Sequence, residues 1–279
     1  MAAPCLLLLA VFAYRPVLRS IQLSFFGTDL LGRPTRFVGL DNYRTMFTDS
    51  ALAQALLTTV VIAVSSVVLA TGGALAAALP LRRAASRMRP VASLLLSLPF
   101  AFSAAAASAA FAGLFAPAVG TLNRLLSAVG IVGPAWLESR GWAIVSISVT
   151  TAWYEFGFAF LVLLAALSRL DPGMLEAAGL DGAGEWRIAR HIIVPSIRSS
   201  LLFLLVTQTI TGLQIFTQVQ ILTQGGPAGS TTTLVYQLYE QAFGEGLPQY
   251  GAASTTALLL IVLVVTVTGA QFWFTRGRS

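Results

Sequence analysis

The sequence predicts an all-α, polytopic membrane protein: six transmembrane helices, with a polar elbow between the fourth and the fifth. Three observations carry this. Of 279 residues, 56% are hydrophobic and only 10% are charged, against about 25% charged in an ordinary soluble domain. So few charges cannot cover a water-facing surface, so the bilayer is the solvent. Six apolar stretches approach or exceed the roughly 20 residues a helix needs to cross about 30 Å of hydrocarbon. Finally, one long polar stretch, EAAGLDGAGEWRIARHIIVP (176–195), stands between two of them.

The spans run over 3–25, 52–81, 90–116, 142–167, 200–223 and 252–275, and the whole chain, 1–279, reads as a single transmembrane domain. The first span is the least regular, because Arg15, Pro16 and Arg19 interrupt it. It starts almost at Met1 without the cationic segment of a signal peptide, so either the helix begins flush with the chain or the natural N-terminus is longer. The apolar run follows Cys5 instead of preceding it, which argues against a lipid attachment site. A single cysteine excludes an internal disulfide and a Cys-rich metal centre, and His191 is the only histidine. The net charge is +6 and every basic residue is arginine. These arginines are scattered at loop ends without interleaved aromatics, which argues against nucleic acid.

Orientation follows from the same arginines. Arg82, Arg83, Arg87, Arg89, Arg169, Arg187, Arg190, Arg198, Arg276 and Arg278 share one side. The alternate loops hold Arg33, Arg36, Arg44, Arg124 and Arg140, offset by Asp29, Asp41, Asp49, Glu138, Glu240 and Glu245. The positive-inside rule places the first set, and both termini, in the cytoplasm. The outer loops, turn-rich at GTDLLGRP, VGLDNY and QGGPAGSTTT, are read either as short interfacial or periplasmic helices or as plain connectors. ATGGALAAALP and SAAAASAAFAG are stretches of small residues that let helix backbones approach closely in lipid.

Residues 171–198 form the elbow. Asp171 suits an N-cap and Pro172 the first helical position. A short helix then ends near Gly182, which suits a left-handed C-terminal residue. A second one follows over about 185–191, and Pro195 marks where a new helix can begin. Leu175, Leu180 and Trp186 are expected on its surface beside charges. Such a surface fits docking onto another protein, and it fits equally an arginine-bearing loop lying on anionic lipid.

The spacing Glu176-Ala177-Ala178, three residues, Gly182, nine residues, Ile192-x-Val194-Pro195 resembles the EAA motif of ABC importer permease subunits. Val194 replaces the usual leucine. Asp181-Gly182-Ala183 resembles the carbohydrate-uptake branch, and FVGLDNYRTMF (37–47) and TQGGPAGSTTTLVYQLYEQAF (223–243) resemble the outer loops of its MalF-type subunits. Within that class the chain resembles glycerol-3-phosphate permeases, a narrower likeness because sugar permeases share these loops. The resemblance implies a multi-pass subunit of the bacterial inner membrane that forms half of a translocation pathway. Its implied partners are a second homologous permease, two ATPase subunits, an extracytoplasmic substrate-binding protein and membrane lipid. It also implies that the elbow is the ATPase-coupling element, carried by Glu176, Ala177, Ala178, Asp181, Gly182, Trp186, Ile192 and Pro195. This chain has no Gly-x-x-x-x-Gly-Lys-Ser/Thr loop to cradle phosphates, so it is not the ATPase; the resemblance implies a transport subunit and not an enzyme, with ATP and Mg on the partner ATPases.

Polar residues within spans point to a cavity or to another helix. Thr207, Thr211, Gln214 and Gln218 fall at i, i+4, i+7 and i+11 of the fifth span, on one helical face. Their hydroxyls and amides suit a hydroxyl-rich cargo such as a sugar, glycerol phosphate or glycerophosphodiester, and they suit interhelical hydrogen bonds equally well. In the fourth span Trp153, Tyr154 and Glu155 fit either a site for a cationic or hydroxylated group or an ion pair of Glu155 with Arg15, Arg19 or a partner. These two arginines, one turn apart, fit either a phosphate-bearing cargo or snorkelling to the interface. The alternative class is a secondary, ion-coupled transporter, which would need several acids within spans, and only Glu155 is there. A membrane enzyme would need a His, Cys or Ser-His centre.

Overall fold

The computed structural model describes residues 3–82, 87–117 and 119–276, so Arg83 and Arg278 of the basic set lie outside the described residues. Helix α1 spans Pro4–Leu23. It widens into a π turn over Ala10–Tyr14, where the Arg15 N–H reaches back five residues to the Ala10 carbonyl. The cause is Pro16, which has no N–H to donate and whose ring would crowd the preceding turn.

The first outer loop is a folded cap. Strands β1 (Phe26–Thr28) and β2 (Pro34–Phe37) pair antiparallel, and Asp29 Oδ1 accepts the Leu31 and Arg33 N–H groups at the turn. Helix α2 (Asp41–Thr48) is pinned beneath by Asn42, whose Nδ2 donates to the Ser24 and Phe26 carbonyls. Of the two readings of the outer loops, short ordered elements prevail here and again at 234–243, and a further short helix, α6 (Thr121–Ala128), stands between the third and fourth spans.

Helix α3 (Ser50–Leu81) is N-capped by Asp49. Its 32 residues reach about 48 Å at 1.5 Å each, which is longer than the hydrocarbon core. Ala55, Thr59, Ala63, Ala70, Ala74 and Ala78 are buried along its length. They let α7 (Arg140–Leu167) pack closely, and Ser65 Oγ donates across the pair to Ser148 Oγ at 2.8 Å. The small-residue run of α3 is therefore a packing surface, whereas in the second run only Ala107 and Ser108 are buried.

Two expected spans are not single helices. The third is α4 (Met88–Ser97), a tight turn at Leu98–Ala101, then α5 (Ala104–Phe115), bent by 97°. Pro99 occupies the tight turn, Phe102 is extended, and Ser103 starts the new helix by accepting the Ala106 N–H. The fifth, expected over 200–223, is α10 (Arg198–Leu213) and α11 (Thr217–Leu222), parted at Gln214–Phe216. The Ile215 carbonyl freed by the break accepts Thr233 Oγ1 at 3.1 Å, the partner that makes such a break tolerable in a membrane. Thr233 also N-caps α12 (Leu234–Phe243), and α13 (Tyr250–Arg276) ends the described chain. Among the described residues four helices are long and apolar enough to cross, α1, α3, α7 and α13, and the number rises to six if the bent third span and the pair made by residues 185–196 with α10 each count as one.

Phe160, Leu163, Ile188, Ile193 and Leu204 are fully buried among Ala74, Ala78 and Leu167, joining α3, α7 and α10 to the elbow. One polar knot secures the same three helices. Gln208 is 2% exposed, accepts Thr71 Oγ1 at 2.6 Å and donates to the Glu155 carbonyl at 3.3 Å. Gln208→Leu is expected to destabilise the chain by about 0.6–1.7 kcal/mol, the measured range for interhelical hydrogen bonds in membranes. Thermal unfolding in detergent checks this, and an unchanged midpoint would mean that the knot contributes nothing.

Candidate functional site

The elbow is built from helix ends. Asp171 accepts the Gly173 N–H at 2.9 Å, with Pro172 at the first position of α8 (Pro172–Leu180). The helix closes on Gly182, φ +75°. The Gly182 N–H bonds the Gly179 carbonyl and the Ala183 N–H the Ala178 carbonyl. This pair is the Schellman closure, which needs a left-handed residue where glycine is. Helix α9 (Glu185–Ser196) follows and contains a π turn at Ala189–Ile193. As in α1, a proline stands just after the widened turn, here Pro195. The new direction therefore begins at Ile197 rather than at Pro195, with a bend of 74° into α10.

The elbow has two distinct faces. Inward, Leu175, Ala178 and Ala183 pack against the cluster of Leu163, Leu167, Ile188 and Ile193. Leu175 is thus part of the packing and not of the exposed surface expected from the sequence. It sits three residues before Ala178, so both fall on the half-buried, packed side of α8. Outward, Glu176, Ala177, Asp181 and Gly182 are exposed, with Leu180 at 90% and Trp186 at 75% exposure. Ile192 is half-buried and Pro195 exposed. Arg82 Nη2 at the foot of α3 lies 3.8 Å from Glu185 Oε2, a loose ion pair between span and elbow that sequence reasoning missed. Beside it a cleft of about 410 Å³ is lined by Arg82, Arg89, Leu170, Pro172, Glu176 and Gly179.

The expected polar face of the fifth span is divided by the helix break. Thr207 is half-buried, Thr211 and Gln214 are exposed, and Gln218, beyond the break on α11, is buried. The opposite side of α10 is committed: Gln208 to α3 and α7, Thr209 to Gln271 of α13 at 2.9 Å. Gly212 lies so near α3 that a Cβ there would stand 3.0 Å from Ala63 Cα. Thr207, Thr211 and Gln214 therefore share the face of α10 that the chain leaves uncovered. Thr207 and Thr211 donate to carbonyls one turn back, which leaves their oxygens free to accept.

Trp153, Tyr154 and Glu155 do not converge. The Trp153 ring lies 5.7 Å from Phe102 and 5.4 Å from Phe111, holding the bent third span on α7. Tyr154 and Glu155 are half-buried. Glu155 forms no ion pair with Arg15 or Arg19 among the described residues, because α1 packs on α13 and the outer hairpin instead of α7. Gln208, the most tightly held polar residue of this region, carried a usable signal: it is an amide within a span, one residue off the chosen face.

Residues 69–279 match the family model described as "Binding-protein-dependent transport system inner membrane component". The chain is 32% identical to the lactose transport system permease protein LacF of Rhizobium radiobacter, over 99% of this chain and 93% of that protein. It is 33% identical to the sulfoquinovosyl glycerol transport system permease protein SmoG of Agrobacterium fabrum, over 95% and 86%. It is 32% identical to the sn-glycerol-3-phosphate transport system permease protein UgpA of Brucella abortus, over 99% and 93%. The resemblance to glycerol-3-phosphate permeases is thus real, and permeases for lactose and sulfoquinovosyl glycerol share it at near-equal identity. The fold matches a chain of a bacterial ABC transporter for the acidic polysaccharide alginate, with a TM-score of 0.85 at 21% identity, over 99% of this chain and 93% of that one. All three relatives are transport permeases, and the role of this chain is that of a transport subunit, not of an enzyme. The chain belongs to the inner membrane components of binding-protein-dependent transport systems, as a multi-pass permease subunit of an ABC importer.

Proposed function

We propose that this chain forms half of the translocation pathway for a sugar, glycerol phosphate or glycerophosphodiester and is driven through the elbow 171–198 by ATPase subunits. The observation that carries the coupling reading is the two-faced elbow. Its inner side is locked into the core of α3, α7 and α10, and its outer side presents Leu180 and Trp186 beside Glu176 and Asp181. A force applied there reaches the spans without being absorbed by a loose linker. The partners are a second homologous permease, two ATPases that hold ATP and Mg, and an extracytoplasmic binding protein. The elbow and both termini are cytoplasmic, following the arginine distribution. Closure of the ATPase dimer draws two such elbows together and rocks the bundles between inward-open and outward-open states. The test is co-purification: the tagged chain brings down a second permease and ATPase chains. Their absence from a complex otherwise active in uptake would overturn the reading.

The cargo class rests on the relatives and on the open face of α10. The cargoes of these relatives, lactose, sulfoquinovosyl glycerol and glycerol-3-phosphate, are all hydroxyl-bearing. Thr207, Thr211 and Gln214 offer acceptors and an amide donor to such groups. Screening the cognate binding protein against sugars, glycerol phosphate and glycerophosphodiesters identifies the cargo. With that cargo, Gln214→Leu and Thr211→Val are each expected to slow uptake by about 3- to 10-fold, one hydrogen bond's worth, at unchanged membrane level. Unchanged uptake in both would remove this face from the pathway. Glu155→Gln is read in the same assay, and no loss there takes Glu155 off the pathway.

A further inference from the structure

We propose that Arg15 and Arg19 bind the phosphodiester group of an anionic lipid where α1 meets the outer hairpin. Arg15, Arg19 and Gln22 follow each other at i, i+4 and i+7, on one face of the helix, and all three are exposed. With Leu18, Leu23 and Pro34 they line a cleft of about 430 Å³. The opposite side of the helix is the packed one: Ser24 is fully buried and Ser20 half-buried, toward α13 and the hairpin.

Neither arginine pairs with an acid among the described residues. Two guanidinium groups one turn apart repel each other, and a charge at the edge of the hydrocarbon persists only with a counter-charge or water. A phosphodiester supplies the negative charge in a geometry that the flat guanidinium fork matches. Pro34 belongs to the outer hairpin, so the cleft runs along α1 from Arg15 up to the helix's outer end, within reach of the head groups. Exposed Leu18, Val17 and Ile21 flank it, and Phe12 and Leu6–Leu9 continue the apolar surface along the span. Acyl tails can lie along this surface, whereas a soluble phosphate would leave it unused. This favours a lipid over a free phosphate compound.

The full-length chain, purified in detergent, is titrated with phosphatidylglycerol or phosphatidylcholine and read by native mass spectrometry. Phosphatidylglycerol is expected to be retained about thirtyfold better, from about 1 kcal/mol for each of the two arginines near the surface. Arg15→Gln with Arg19→Gln brings the two lipids level, and Arg15→Lys with Arg19→Lys keeps most of the preference. Inorganic phosphate and glycerol phosphate leave lipid retention unchanged. Equal retention by the unmodified chain, or a preference that survives the glutamine pair, overturns the proposal. Displacement of the lipid by either soluble phosphate also overturns it, making the cleft a site for soluble phosphates. Should the glutamine pair fail to insert, the lysine pair and the competition on the unmodified chain still decide.

Discussion

Gly182→Glu in the assembled importer is expected to lower binding-protein-stimulated ATP hydrolysis by about tenfold or more, as loss of a central interface contact does, while the chain still inserts. Two effects act together. Gly182 holds φ +75° at the closure of α8, and an L-residue there costs roughly 1–2 kcal/mol. The new side chain also places a carboxylate beside Asp181, on the face that carries Leu180 and Trp186. A Cβ at Gly182 meets nothing of this chain within 4 Å, so the defect arises at the docking surface and not in the core. Gly182→Ala separates the two, since it retains the strain and omits the charge. Glu176→Lys, on the same exposed face, is expected to uncouple as well. Normal stimulated turnover in both Gly182→Glu and Glu176→Lys would remove the elbow from the coupling path.

Gly157→Val is expected to prevent stable folding, with loss of membrane-inserted protein or a detergent unfolding midpoint lower by several degrees. A Cβ at Gly157 would stand 2.5 Å from the Phe100 nitrogen, 3.0 Å from Phe100 Cβ and 3.1 Å from the Ser97 carbonyl oxygen. Two of these are backbone atoms of the bent third span and cannot move aside as a side chain would. Overpacking of this kind costs about 1–3 kcal/mol and sometimes more. Gly113 is the control. It too is helical, yet its added Cβ meets nothing within 4 Å, so Gly113→Val should leave the midpoint nearly unchanged. Equal behaviour of the two variants would mean that the Phe100 approach does not hold α7 to the bend.

Much of the elbow was legible in the linear chain, because its signals are local. Asp171 and Pro172 start a helix, and Gly182 ends one through a backbone conformation that glycine adopts freely. The fate of Leu175 was not legible. It sits beside Glu176 as Leu180 sits beside Asp181, and only the packing of α8 against the buried cluster that contains Leu163 and Leu167 makes one half-buried and the other exposed. The fifth span shows the same limit. Its even hydropathy reads as one helix over 200–223, and the break at Gln214–Phe216 depends on Thr233, eighteen residues on from Ile215, accepting the role of donor to the freed carbonyl. Periodicity measured along one segment cannot contain a partner from another.

By itself the sequence determined the solvent and the helical class, and it carries the motif through which the chain resembles its family. Each is written in composition or in spacing within a few turns of helix. Tertiary structure alone decided which polar residues are free to act. Gln208 and Gln218 are spent inside the bundle, Trp153 holds the third span, and Thr207, Thr211 and Gln214 are left open. The physical reason is that a polar group in lipid bonds to whichever helix stands opposite it, and what stands opposite is fixed only when the spans come together.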